Sequence, residues 1–137
     1  NPVYPSLNNF GSLDSSSLSK NQKEILNNFI NAISQDLNNG PEQFFNSKFI
    51  FNYVFFKNEI EKKLLQNESE EMQTEESEKV EKEPLFTKWY VGEPFINNEL
   101  VEVPVRLFST IGIIDVTILI DTGSNEIYQI VINRWEN

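Results

Sequence analysis

Residues 100–135 read LVEVPVRLFSTIGIIDVTILIDTGSNEIYQIVINRW, and the alternation in that string decides the fold. Val101, Val103, Val105 and Leu107 recur at every second position, the period of a strand whose side chains point alternately to two faces. Ile114, Val116, Ile118 and Ile120 repeat the pattern, with Ile113, Asp115, Thr117 and Leu119 on the other face. In the last run the same rule places Ile127, Val131 and Trp135 on one side and Tyr128, Ile130 and Ile132 on the opposite side. Working outward, a first strand is expected over about Phe86 to Ile96, turning at Asn97-Asn98, and a third over Ile111 to Asp121. Short turns between period-two runs predict four antiparallel strands in sequential order. Pro104 has no N–H for a ladder, so its strand should lie at an edge there or bulge.

Ahead of the strands the period changes. Ser19 followed by Gln22 forms a capping box, and Leu26, Phe29, Ile30, Ile33 and Leu37 then recur at helical spacing. Gly40 is suited to a left-handed C-terminal cap, and Pro41 to the first turn of the next helix. From Pro41 to about Gln66, Phe45, Phe49, Tyr53 (or Asn52), Phe56, Ile60 and Leu64 keep a period of three to four. That predicts a second helix, broken near Asn46 or Asn58, although the aromatic run Phe49–Phe56 also fits a buried strand. Six of the eleven Phe lie between Phe44 and Phe56, more than one amphipathic stripe can hold. Most belong to a core, and the rest are expected at a ligand pocket or a dimer surface.

The chain is long enough for one domain with a real core: a tether over 1–18, then a single α+β domain over 19–137. Its opening is rich in Ser, Asn and Pro. Beginning at Asn1 without Met or a signal peptide, it reads as a processed or trimmed chain. A tether suits an exported or lipid-anchored protein, so an extracytoplasmic or cell-envelope position is expected, with a cytoplasmic one left open. Residues 67–83 form an acidic insertion, eight Glu against Lys79 and Lys82, with only Met72 and Val80 as apolar anchors. Its composition predicts a solvated loop or an exposed helical extension.

The net charge of −10 disfavours a nucleic-acid partner, because affinity for phosphate backbones comes from Lys and Arg. No apolar run reaches the roughly 20 residues of a membrane span. There is no Cys and no His, which removes thiolate nucleophiles, the commonest general base and the usual zinc ligands. No cofactor and no metal site is expected, with a carboxylate-bound calcium or magnesium left open.

The helix around Leu26–Leu37, the strands Leu100–Phe108 and Asp115–Asp121, and the closing Ile127–Trp135 occur in an order that resembles the nuclear transport factor 2-like (cystatin-like α+β) superfamily. The resemblance covers roughly residues 19 to 136 and is one of architecture. It implies helices packed in the concavity of a bent antiparallel meander that forms a cone-shaped pocket. The acidic insertion is longer than the family's usual connection. The superfamily hosts enzymes and binding domains alike, so the fold selects no activity.

Three constellations could carry function. Asp121-Thr122-Gly123-Ser124 resembles the active-site turn of aspartic proteases, which need two carboxylates sharing a proton. It is read as a hairpin turn with Gly at positive φ, because too little chain follows to complete a protease fold. Asp115 interrupts an apolar strand; in a pocket it could act as a base, with Tyr90 or Tyr128 as hydrogen-bond donor, as in isomerases and dehydratases of the resembled fold. With no His or second acid beside it, a surface position is expected. Phe49, Tyr53, Phe56, Tyr128 and Trp135 are the expected ligand-binding residues. The resulting expectation is a non-catalytic domain that binds an apolar small molecule or a protein partner, and a homodimer through the outer sheet face with Trp135 or Tyr128 near its centre.

Overall fold

A computed structural model describes residues 18–38, 41–71 and 84–136. The order is helix α1 (Lys20–Gln35), a single-turn α2 (Pro41–Phe44), a 3-10 turn at Ser47–Phe49, and helix α3 (Ile50–Glu71). Five strands follow: β1 (Phe86–Val91), β2 (Phe95–Asn97), β3 (Leu100–Ser109), β4 (Gly112–Asp121) and β5 (Ile127–Glu136). They form one antiparallel sheet in the order β1-β3-β4-β5, with β2 pairing β3 beside β1. The class is α+β, helices against an open, bent sheet.

Helix α1 starts as its sequence requires. The Gln22 N–H donates to Ser19 Oγ at 3.2 Å and the Ser19 N–H to Gln22 Oε1 at 3.1 Å, closing the capping box. Leu26, Phe29, Ile30 and Ile33 form its buried stripe. The helix stops at Gln35, where Asp36 is extended; the expected cap at Gly40 lies outside the described residues. The 49–56 run is helical. The break falls at Asn46, one of the two positions expected, and it has a tertiary cause. The Asn46 N–H donates to the Ile127 carbonyl at 3.0 Å, and its side chain caps the 3-10 turn through the Lys48 N–H. The acidic insertion begins as an extension of α3 to Glu71; 72–83 lies outside the described residues.

The expected first strand is two. β1 and β2 lie along the same edge of β3, separated by Gly92-Glu93-Pro94. Pro104 explains the gap. Its carbonyl accepts the Gly92 N–H at 2.8 Å, so its missing donor faces the same side, where β1 ends. β3 is therefore an interior strand, and the proline is accommodated by interrupting its neighbour. Asn98, at φ 59°, makes the two-residue turn from β2 to β3.

β5 corrects the expected face assignment. Its register against β4 slips twice, leaving Tyr128 and Asn133 as bulges. Each bulge resets the alternation. Ile127, Ile130, Ile132 and Trp135 thus oppose Ile120, Ile118, Val116 and Ile114 on the helix-facing side, while Val131 faces away.

The core lies between that side and the two long helices. Val101, Val103, Val105 and Leu107 of β3 and Ile114, Val116, Ile118 and Ile120 of β4 are buried against Leu26, Phe29, Ile30, Phe45, Tyr53, Phe56 and Ile60. Fully burying one such aliphatic side chain contributes about 1.5–3 kcal/mol, so this layer dominates stability. Edge-to-face contacts of Phe29 with Phe44, Phe45 and Tyr53, at 5.7–6.0 Å between ring centroids, knit the helices together.

One polar residue ties α1 to the sheet. Ser34 Oγ donates to the Phe86 carbonyl at 2.8 Å and accepts the Phe86 N–H at 2.9 Å, while its own carbonyl accepts the Leu85 N–H. We expect Ser34→Ala to destabilise the fold by about 1–3 kcal/mol, the cost of leaving a buried backbone pair unsatisfied. Urea denaturation measures it; a change below about 0.5 kcal/mol would mean that β1 docks without this bridge.

Candidate functional site

The outer sheet face is not the open apolar surface that alternation suggests. Tyr90, Arg106, Asp115 and Arg134 form a row across β1, β3, β4 and β5. Asp115, expected at the surface, is only 3% exposed. Arg106 Nε and Nη2 each donate to it at 2.6 Å, a bidentate fork that occupies both carboxylate oxygens. The same hydrogen bonds raise the Arg106 pKa further above its ordinary value. As a base, Asp115 would have to leave a guanidinium that holds both of its oxygens. Tyr90, two strands away, packs edge-on against Phe108, with the Lys88 ammonium 4.8 Å from that ring. Arg134 pairs with Glu136.

The Asp121-Thr-Gly-Ser segment is a turn. The Asn125 N–H donates to the Asp121 carbonyl at 2.7 Å, and the Thr122 N–H donates to the Glu99 carbonyl at 2.9 Å. The positive φ expected at Gly123 belongs instead to Asn125, at 58°. Asp121 Oδ1 accepts the Gly123 N–H at 2.9 Å and Oδ2 the Tyr128 hydroxyl at 3.0 Å. These donors hold the carboxyl below the usual carboxylate range, and Asp121 in turn raises the Tyr128 hydroxyl pKa. A proton-sharing pair of acids needs the opposite shift in one member.

The third place is a groove between α3 and β5. The two elements run side by side in the same direction. Phe49 stacks on Tyr128 at 4.5 Å, Asn52 Nδ2 donates to the Tyr128 carbonyl at 2.7 Å, and Lys63 sits 5.1 Å from the Trp135 ring centroid. Between these ends is a space of about 480 Å³, lined by Asn52, Phe55, Phe56, Glu59 and Lys63 on the helix and by residues 129–132 and Trp135 on the strand. Phe45 and Asn46 pair the outer edge of β5 at Ile127, and Asn52 reaches the next carbonyl. Beyond Tyr128 no described strand covers that edge.

The five expected ligand-binding residues therefore separate. Phe56 and Trp135 line the groove, and Phe49 and Tyr128 close one end of it. Tyr53 is core: burial pushes its hydroxyl pKa up, helped by the charges of Asp36 and Glu61, and the hydroxyl donates to the Leu37 carbonyl. Asp115 and Tyr90 lie on the outer face, away from the groove. Phe55, 68% exposed at the groove rim, stood out only as part of an aromatic run too dense for one stripe. A second cleft of about 360 Å³ lies where the end of α1 meets α3 and Leu85, and it carries Asp36 and Glu61.

Among the described residues no three His, Cys, Asp or Glu side chains converge as a metal site, and no helix is long and apolar enough to cross a membrane. Comparison with protein-family models, with curated proteins and with solved structures returned no match.

Two outcomes follow from this geometry. Removing one partner of a buried ion pair strands the other, so Asp115→Ala should cost about 3–5 kcal/mol. Combining it with Arg106→Met should recover much of that loss, and equal costs for the single and double variants would show that the pair is not coupled. A carboxyl with a depressed folded pKa stabilises above its unfolded value, about 3.9, and loses that contribution as the pH falls through the lower folded value. The stability gap between the parent and Asp121→Asn should therefore shrink below about pH 4. A gap unchanged on acidification, followed by urea denaturation, would contradict the hydrogen bonds to Asp121.

Proposed function

We propose that this chain is a non-catalytic binding domain whose recognition surface is the flank formed by α3 and β5, and that this flank takes an apolar surface of a protein partner. The observation that carries the reading is the groove of about 480 Å³ with Phe55 standing 68% exposed at its rim. Phe51 and Val54, on the same helix, are 53% and 46% exposed. Soluble proteins seldom leave contiguous large apolar side chains in water without a use for them, and aromatic anchors beside a pocket are what interfaces spend their binding energy on. The candidate acids support the same reading, since Asp115 and Asp121 both have hydrogen-bond partners within the fold.

The resemblance to nuclear transport factor 2-like proteins belongs to this proposal. Helices on a bent antiparallel sheet are compatible with that architecture, in which members bind their ligands between helix and sheet. Here the space available lies at the margin, because side chains fill the layer between the helices and the middle of the sheet. The extracytoplasmic setting expected from the Ser- and Asn-rich opening is part of the same proposal.

An environment-sensitive apolar dye, anilinonaphthalene sulfonate, tests the surface. It should bind the parent with increased emission, and Phe55→Asp should weaken binding at least tenfold while leaving the far-ultraviolet circular dichroism unchanged. Dye binding untouched by that substitution would move the apolar site away from α3.

A further inference from the structure

The exposed side of α3 and the open edge of β5 make different demands, and one occupant meets both. On α3, Phe51, Val54, Phe55, Asn58, Lys62 and Leu65 recur at helical spacing on the exposed side, with Leu65 64% exposed. On β5, between Tyr128 and Asn133, alternate residues present their N–H and C=O groups along the outer edge, where no described strand receives them. An apolar small molecule would cover the helix and leave these polar groups unpaired. An isolated extended peptide would pair the edge and leave Phe51 and Val54 in water.

We infer that the partner is a second copy of this chain, joined through antiparallel pairing of the two β5 edges and packing of the two α3 helices across the same twofold axis. This rests on the reading of the α3–β5 flank as the binding surface. Antiparallel pairing of identical strands is self-complementary, as a twofold interface must be. The two elements also place the axis consistently. The α3 stripe runs from Phe51 to Leu65, so its midpoint is Asn58, and a twofold there sets Phe51 of each copy against Leu65 of the other. Asn52 lies beside Tyr128, and the six residues from Asn52 to Asn58 advance about 9 Å along the helix. Along a strand the same distance is about three residues, which reaches Val131. Val131 is the exposed large apolar residue of β5, at 38%, and it lines the groove. One axis beside Asn58 and Val131 therefore serves helix and strand together.

Area agrees with this arrangement. The exposed parts of Phe51 and Phe55 alone supply on the order of 200 Å² per copy. The remaining apolar stripe and the strand edge bring the surface toward the roughly 800 Å² per partner typical of stable complexes. The opposing term is the charge of −10 on each chain, which makes association stronger as salt rises.

Light scattering on the full chain at micromolar concentration should give twice the monomer mass of 15.9 kDa. Phe55→Glu and Val131→Lys, on different elements and at exposed sites, should each weaken the dimer at least tenfold with unchanged circular dichroism. Phe95→Glu, exposed on β2, should leave it intact. Because the chain has no Cys, Val131→Cys introduces a single thiol beside the axis, and mild oxidation should link the two copies, whereas Phe95→Cys should not. A parent that stays monomeric, or a dimer indifferent to both flank variants, overturns the second-copy proposal. A monomer whose flank still binds the dye in a Phe55-dependent way leaves the binding surface standing with a different occupant; a monomer without that dye site removes both.

Discussion

A ten-residue strand with unbroken alternation would send Ile127 and Ile130 to opposite faces of the sheet. The bulge at Tyr128 turns both toward the helices, and a second bulge at Asn133 does the same for Ile132 and Trp135. The layered core depends on this constraint, because β5 is the strand against which α3 packs. Without the two insertions, half of its large apolar side chains would face away from the helix. The unpaired Tyr128 is then available at the sheet edge, where its ring stacks on Phe49 and its hydroxyl bonds Asp121. Bulges also sharpen local twist, which bends the sheet around α1 and α3.

The polar groups that this packing buries are each given partners. Ser34 bonds both backbone groups of Phe86. Arg106 and Asp115 face each other across the β3–β4 hairpin, where two opposite charges taken from water are tolerable only because the fork is bidentate. Such a pair adds little net stability over apolar residues of similar size, yet losing either member is costly. It favours the register in which Arg106 opposes Asp115, since a slip of one residue would separate the charges.

Helix α3 does two jobs that α1 does not. α1 has one buried stripe, whereas the first half of α3 is apolar nearly all round. Tyr53 and Phe56 face the core, while Phe51, Val54 and Phe55 face out. A helix apolar on every side is usually enclosed. Here the fold encloses one side, and the other side flanks a strand edge that no described strand completes. The proposed binding surface follows from those two unfinished elements lying next to each other.

By itself the sequence determined the local elements. The capping box, the stripe of α1 and the alternation of β3 and β4 depend on neighbours two to four residues apart, so they are legible without partners. Even the pairing of Arg106 with Asp115 could have been read from a two-residue turn at Thr110-Ile111, had that turn been used to count back along the hairpin. What only the tertiary structure decided involves registers between strands. The faces of β5, the split of the first strand opposite Pro104 and the burial of Asp115 each depend on which residue stands across the ladder. The groove likewise joins residues 52–63 to residues 129–135, and no local pattern records that the two segments lie side by side. Local spacing fixes which way a side chain leaves its own element; only packing fixes what it meets.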